Sequence, residues 1–187
     1  MNNAKSFKDN GYLIIPKILS GELLDFIGIH AYNRARIEGI NPAVTWPASN
    51  IPSFYGDYIM ENLSNFLLPK IESAAGMKLL PTYTYFRIYR TGDILEKHRD
   101  RPSCEISISM SLRKKGKTWP MYINNTAVML EEGDAVLYKG CEVDHWRESY
   151  TEGTKLAQVF LHYVDTNGPY TEWKNNKIPD KYFAQDK

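Results

Sequence analysis

Apolar residues recur at helical spacing in the first part of the chain and at every second position in the rest. Leu23, Leu24, Ile27 and Ala31 share one helical stripe behind Ser20, which is placed to cap a helix start. Ile59, Leu63, Phe66, Leu67 and Ile71 make a second stripe over about Gly56 to Ala75, which Pro69 should kink or divide and Gly76 should end. The run GYLIIP ahead of the first helix reads as a short strand. Between the helices, Gly39 to Ser53 holds prolines at 42, 47 and 52 and no periodic pattern, and reads as a mobile loop suited to act as a lid.

From Leu79 the period is two. PTYTYFRIYR sets Tyr83, Tyr85, Arg87 and Tyr89 on one face and Thr84, Phe86 and Ile88 on the other. EISISMSL sets Glu105, Ser107, Ser109 and Ser111 opposite Ile106, Ile108, Met110 and Leu112. WPMYIN, AVML, AVLY and KLAQVFLHYV read as further strands, with EEGD a tight turn between two of them. Strands following helices predict a mainly β fold with N-terminal helices, a sandwich or barrel covered by those helices. Its polar strand faces then either line an internal pocket or face water as in an ordinary antiparallel sheet.

At 187 residues the chain suits one domain spanning 1–187, with 1–78 a mainly helical support holding a first strand, 79–164 the β core and 165–187 a C-terminal tail. With 23 basic and 22 acidic residues the formal net charge is +1, which gives no global attraction to nucleic acid or an anionic membrane. RKKGK at 113–117 reads as a solvated hairpin tip, because no basic stripe interleaved with aromatics accompanies it. No apolar run has the length of a signal peptide or membrane span, and Cys104 and Cys141 lack zinc-site spacing, so a soluble cytoplasmic protein with reduced, buried thiols is expected. Thirteen tyrosines exceed what a core requires, which places some of them at a site. Oligomeric state is left open.

The chemistry centres on EKHRDRPSCEIS. In an extended segment His98 and Asp100 leave the same face while Arg99 points away, so both reach one atom. Two ligands do not hold a catalytic metal, and His145, just after AVLY, is the best-placed third. Two imidazoles and a carboxylate make a facial triad suited to Fe(II), leaving adjacent positions for a chelating cosubstrate and O2. His30 and His162 have no acid nearby in sequence and read as surface or packing residues. A chelating 2-oxoacid also needs a cation for its distal carboxylate. Lys155, ten residues after His145 on the face of Ala157, Val159 and Leu161, and Arg147, two residues after His145, are rival choices.

YRTGDILEKHRD, CEISISMSL, EEGDAVLYKG, the histidine of DHWRE and KLAQVFLHYV together resemble the Fe(II)/2-oxoglutarate-dependent dioxygenases, within them the prolyl-hydroxylase-like branch, over about Tyr83 to Val164. The opening GYLIIPKILSGELLDFI is similar to the strand and helix that commonly begin members of that superfamily. The resemblance implies a double-stranded β-helix, a jelly-roll, cupin-like barrel flanked by supporting helices. It implies iron bound by His98, Asp100 and His145, 2-oxoglutarate and O2 as cosubstrates, and hydroxylation of an unactivated C–H bond with succinate and CO2 as coproducts. Lys155 stands where the branch has a Lys or Arg on the distal carboxylate, and Tyr89 where prolyl hydroxylases often have a tyrosine against the cosubstrate. Ser111 stands at about the place of a further tyrosine that this chain lacks. Asp100 is the carboxylate that related halogenases lack, so hydroxylation is expected.

Tyr83, Tyr85, Arg87, Arg101 and Trp146 are the expected substrate contacts, with pairing of Arg87 or Arg101 to Glu105 as the structural alternative for each arginine. A prolyl or other peptidyl residue is the first expectation for substrate and a small free metabolite the second. Two competing classes remain: a non-enzymatic jelly-roll binding module, which needs no iron, and a cupin-type metalloenzyme, which needs no 2-oxoglutarate.

Overall fold

The computed structural model describes residues 3–38 and 51–175, so the expected lid lies outside the described residues except for its last three positions. A short helix α1 (Asn3–Asn10) precedes β1 (Tyr12–Ile15), α2 (Gly21–Glu38), β2 (Ser53–Tyr55) and α3 (Tyr58–Ala75). Only Phe7 of α1 is buried, which explains why no apolar stripe announced that helix. Asp57 caps α3, its Oδ1 accepting from the Ile59 and Met60 amides at 3.0 and 3.2 Å, and Gly76 ends it at φ 72° with its N–H on the Glu72 carbonyl. Pro69 does not divide α3 as expected. It sits on the exposed side, where the carbonyl it leaves without a donor can take water, while Leu63, Leu67 and Ile71 stay buried in register. Phe66, expected on the same stripe, is exposed.

Asp57 also accepts from His30 Nε2 at 2.9 Å and Arg34 Nη1 at 2.8 Å, tying α2 to the start of α3. The acid that His30 lacked nearby in sequence is thus supplied across space.

The strands β3 (Leu79–Arg90), β4 (Leu95–His98), β5 (Ile106–Gly116), β6 (Met121–Ile123), β7 (Thr126–Val128), β8 (Ala135–Lys139), β9 (His145–Arg147) and β10 (Gly153–Asp165) complete the fold. All pair antiparallel, in a six-stranded sheet ordered β1-β8-β5-β10-β3-β2 and a four-stranded sheet ordered β4-β9-β6-β7. The last strand lies between β3 and β5, the long-range insertion of a jelly roll, here the double-stranded β-helix. RKKG is not a free tip: β5 runs through it and pairs with the start of β10.

Alternation decides what each face of the large sheet meets. Phe86, Ile88, Ile108, Met110, Ala157, Val159 and Leu161 form one core with Ile27, Ala31, Leu63, Leu67 and Ile71 of the helices. Tyr163 of β10 reaches α3, where its hydroxyl and the Ser64 hydroxyl lie 2.8 Å apart. The opposite parity, Tyr83, Tyr85, Tyr89, Ser107, Ser109, Ser111, Gln158, Phe160 and His162, is buried away from the helices, so the polar strand faces do turn inward rather than to water.

Candidate metal centre and its cavity

His98 ends β4 and His145 opens β9, directly opposite each other in the ladder. Asp100 follows two residues past His98 and is fixed by its own N–H, which donates to the Gly140 carbonyl at 2.8 Å. Asp100 Oδ1 lies 3.7 Å from His98 Nε2 and 3.5 Å from His145 Nε2, and one donor atom from each residue falls within 4.8 Å of the others. Donors about 2.1 Å from a shared ion are separated by roughly 3–4 Å, so little adjustment closes this set on a metal.

The backbone selects the tautomers. His98 Nδ1 faces the Glu96 carbonyl at 2.8 Å and His145 Nδ1 faces the Val143 carbonyl at 3.1 Å. A carbonyl only accepts, so each Nδ1 carries the proton and each Nε2 presents its lone pair to the shared point. Burial, then the neighbouring His145, pushes the His98 imidazole below its ordinary value, keeping it neutral and ready to ligate. Burial opposes the charge of Asp100, but the neighbouring His145 imidazole, with those of His162 and His98, outweighs it and holds the carboxyl below its ordinary value. Gly140 makes room: a Cβ there would stand 2.5 Å from Asp100 Oδ2 and 2.2 Å from the Cys104 carbonyl.

His162 belongs to this neighbourhood although its sequence context suggested packing. Ser107 Oγ lies 2.8 Å from His162 Nδ1 and 3.2 Å from Asp100 Oδ2, so the serine links the two. Burial lowers the His162 pKa to about 4, which keeps the ring neutral. The available signal was parity, since His162 alternates with Gln158 and Phe160 on the inward side of β10. Cys104 is buried as expected, its thiol 3.0 Å from the Tyr83 hydroxyl and pushed up to about 12 by burial; Cys141 is only half-buried.

A cavity of about 780 Å³ opens from His98, Asp100 and His145, within the range of small-molecule sites. Tyr83, Tyr85, Arg87, Tyr89 and Arg101 line it, joined by Ile51, Tyr55 and Phe160. Trp146 does not, because it alternates with His145 and Arg147 on β9; it stacks instead on Tyr122 at 5.2 Å under the Lys97 ammonium. Neither arginine pairs with Glu105, whose Oε2 accepts from the Asp165 amide at 2.8 Å.

Neither rival cation lines this cavity, and they differ in burial: Lys155 is exposed. Its face of β10, shared with Ala157, Val159 and Leu161, is the one that meets the helices. Arg147 is 2% exposed inside the barrel, its guanidinium donating to the Trp119 carbonyl at 2.7 Å, the Pro120 carbonyl at 3.1 Å and Gln158 Oε1 at 3.1 Å. It lies over the Tyr89 ring at 5.4 Å and forms no ion pair among the described residues, and burial pushes its pKa down. Arg147 Nε, the Tyr89 hydroxyl and the Ser111 hydroxyl are all buried without a hydrogen-bond partner among the described residues. Gln158 connects the group, bonding Arg147 through Oε1 and Ser109 through Nε2 while pairing with Ser111 across the ladder. A buried guanidinium without an anion, beside two idle hydroxyls, is costly unless a ligand completes it. Its chemistry fits a carboxylate.

No protein-family model and no curated protein matches the sequence. Solved structures do. EctD from S. alaskensis in its apoform superposes with TM-score 0.74 at 14% identity, over 95% of this chain and 81% of that one. The non-heme alpha-ketoglutarate-dependent carbocyclase SnoK from nogalamycin biosynthesis gives TM-score 0.74 at 12% identity over 98% and 89%. A Pseudomonas putida prolyl-4-hydroxylase gives 0.64 at 14% identity over 87% and 98%. The chain shares their fold.

Proposed function

We propose that this chain is a non-haem Fe(II)- and 2-oxoglutarate-dependent oxygenase that hydroxylates an unactivated C–H bond. The observation that carries this reading is the pairing of a converging His98, Asp100 and His145 donor set with a buried Arg147 that lacks an anion. Likeness in fold to a carbocyclase described as alpha-ketoglutarate-dependent supports it. When bound, iron and 2-oxoglutarate supply the activation of O2 and the oxidation of the C–H bond, with succinate and CO2 as coproducts.

The chain's own residues do the rest. His98 and His145 offer Nε2 because the backbone pins Nδ1, and Asp100 is the acidic ligand, oriented by its own amide and by Ser107. Arg147, with the Tyr89 and Ser111 hydroxyls, takes the distal carboxylate of the cosubstrate, the role for which Lys155 was the first expectation and Arg147 its rival. The wall of Tyr83, Tyr85, Tyr89 and Phe160 holds substrate and excludes water from the reacting centre. Between a prolyl or peptidyl residue and a small free metabolite, a tyrosine-lined cavity of about 780 Å³ favours the second.

Anaerobic addition of Fe(II) and 2-oxoglutarate should produce the weak visible charge-transfer band of the chelate, and Asp100→Ala should remove it. A folded wild-type protein that binds no stoichiometric iron would instead be a binding module. One that binds metal without the band would be a cupin-type metalloprotein.

A further inference from the structure

Two guanidiniums stand in the cavity without an acid against them. Arg87 donates through Nε to the Tyr85 hydroxyl and lies over that ring at 5.1 Å. Arg101 lies over the Tyr83 ring at 4.9 Å. Tyr83 and Tyr85 share the inward face of β3, and both pack on Tyr55, at 5.9 and 4.4 Å between ring centroids. The phenol rings therefore form a strip with one guanidinium on each of its two inward tyrosines. Arg34, Arg90 and Arg99 each have a carboxylate partner, whereas Arg87 and Arg101 form no ion pair among the described residues.

Most other charges at the cavity compensate one another. Lys97 and Arg99 both hold Asp144, at 3.3 and 2.7 Å, and Asp93 accepts from the Arg90 amide at 2.7 Å. Asp100 belongs to the metal centre, and Glu96 is exposed. What remains inside is a surplus of positive charge over an aromatic floor, one residue away from the acidic ligand.

We propose that the substrate is a small molecule bearing a carboxylate, which Arg101 and Arg87 hold over the tyrosine strip so that a neighbouring C–H bond faces the metal centre. The assignment rests on the oxygenase reading above and names its substrate class. An internal prolyl residue offers only neutral carbonyls, which leave two half-buried guanidiniums uncompensated, whereas a carboxylate matches their fork geometry. The aromatic faces suit a flat or cyclic stem beside the acid.

The test uses the full chain, loaded anaerobically with Fe(II) and 2-oxoglutarate, and titrates in L-proline, L-phenylalanine and benzoate against their primary amides, with a short proline-containing peptide having a free or amidated C-terminus as a further arm. Perturbation of the charge-transfer band reports binding, and succinate release in air reports coupling. The acids should act at concentrations at least about tenfold below those of the amides, and Arg101→Gln should erase most of that preference while leaving the 2-oxoglutarate band intact. Arg101→Lys should restore part of it, which a folding defect would not. Amides as effective as acids, or an acid preference that survives both Arg101→Gln and Arg87→Gln, would overturn the proposal. Response to the free-ended peptide alone would overturn the small-molecule assignment in favour of a chain terminus. Loss of the band itself in Arg87→Gln would overturn that residue's share by moving it to the cosubstrate. Absence of the band in wild type would sink the oxygenase reading, and this inference with it.

Discussion

Replacing Arg147 by Gln tests the cosubstrate pocket most directly. The side chain is 2% exposed, holds three protein acceptors, and keeps Nε idle beside the unpartnered Tyr89 hydroxyl. A ligand at about 100 times its Kd stabilises the folded state by ~2.7 kcal/mol. For a chain of this size each kcal/mol moves Tm by about 2–4 °C, so saturating Fe(II) and 2-oxoglutarate should raise Tm by roughly 5–11 °C. Truncating one partner of a buried, hydrogen-bonded charge pair costs about 2–5 kcal/mol, or at least ~30-fold in Kd. At unchanged cosubstrate the stabilisation then falls below ~1 kcal/mol and the shift below about 4 °C. The assay is anaerobic differential scanning calorimetry with and without 2-oxoglutarate in the presence of Fe(II). The within-variant shift is the quantity to compare, because Arg147→Gln also leaves the Trp119 and Pro120 carbonyls short of donors. Lys155→Gln, on an exposed residue, should keep the full shift. A shift retained in Arg147→Gln and lost in Lys155→Gln would refute the assignment.

Two further outcomes follow from features away from that pocket. Gly140→Ala puts a methyl group where Asp100 Oδ2 stands 2.5 Å from the built Cβ, so Fe(II) affinity by anaerobic titration should fall about tenfold or more although no ligand is changed; unchanged affinity would show that Asp100 relaxes freely. Glu72 is held below its ordinary value by its Lys78 hydrogen bond and then by the Leu79 amide, so its folded pKa is depressed and its stabilisation is present above about 4.3 and lost as pH falls through the folded value. Glu72→Gln should therefore lower the urea midpoint at pH 7 and converge with wild type in acid, and a difference that persists in acid would contradict it.

Alternation along each strand was legible in the sequence, and it correctly grouped Tyr83, Tyr85, Arg87 and Tyr89 on one wall. What alternation alone does not reveal is which face of a strand lies inside. Lys155 was read with Ala157 and Val159, and that face meets helices; Trp146 was read with its neighbour His145, and a strand sends neighbours to opposite sides. His162 was missed because its partners are far off in sequence, Ser107 being 55 positions away. A separation of 27 positions likewise hid the acid for His30. Pro69 was over-weighted because its cost depends on whether the freed carbonyl meets solvent, which spacing does not encode. His98, Asp100 and His145 were readable as a group because two of them sit in one triplet and the third comes just after the strand AVLY.

The pairing of β4 with β9 has a mechanical consequence. β4 is an edge strand of the small sheet, only Leu95–His98, matched to β9 at Leu95↔Arg147 and His98↔His145 with a register break between. Such an edge frays first when a domain opens locally. Yet it carries His98, while the strand beside it carries His145 and Arg147. An ion bound across both strands would act as a rivet at that edge, and its release would loosen the mouth of the barrel. Amide exchange in β4 thus becomes a gauge of occupancy, slow when the centre is filled and fast when it is stripped.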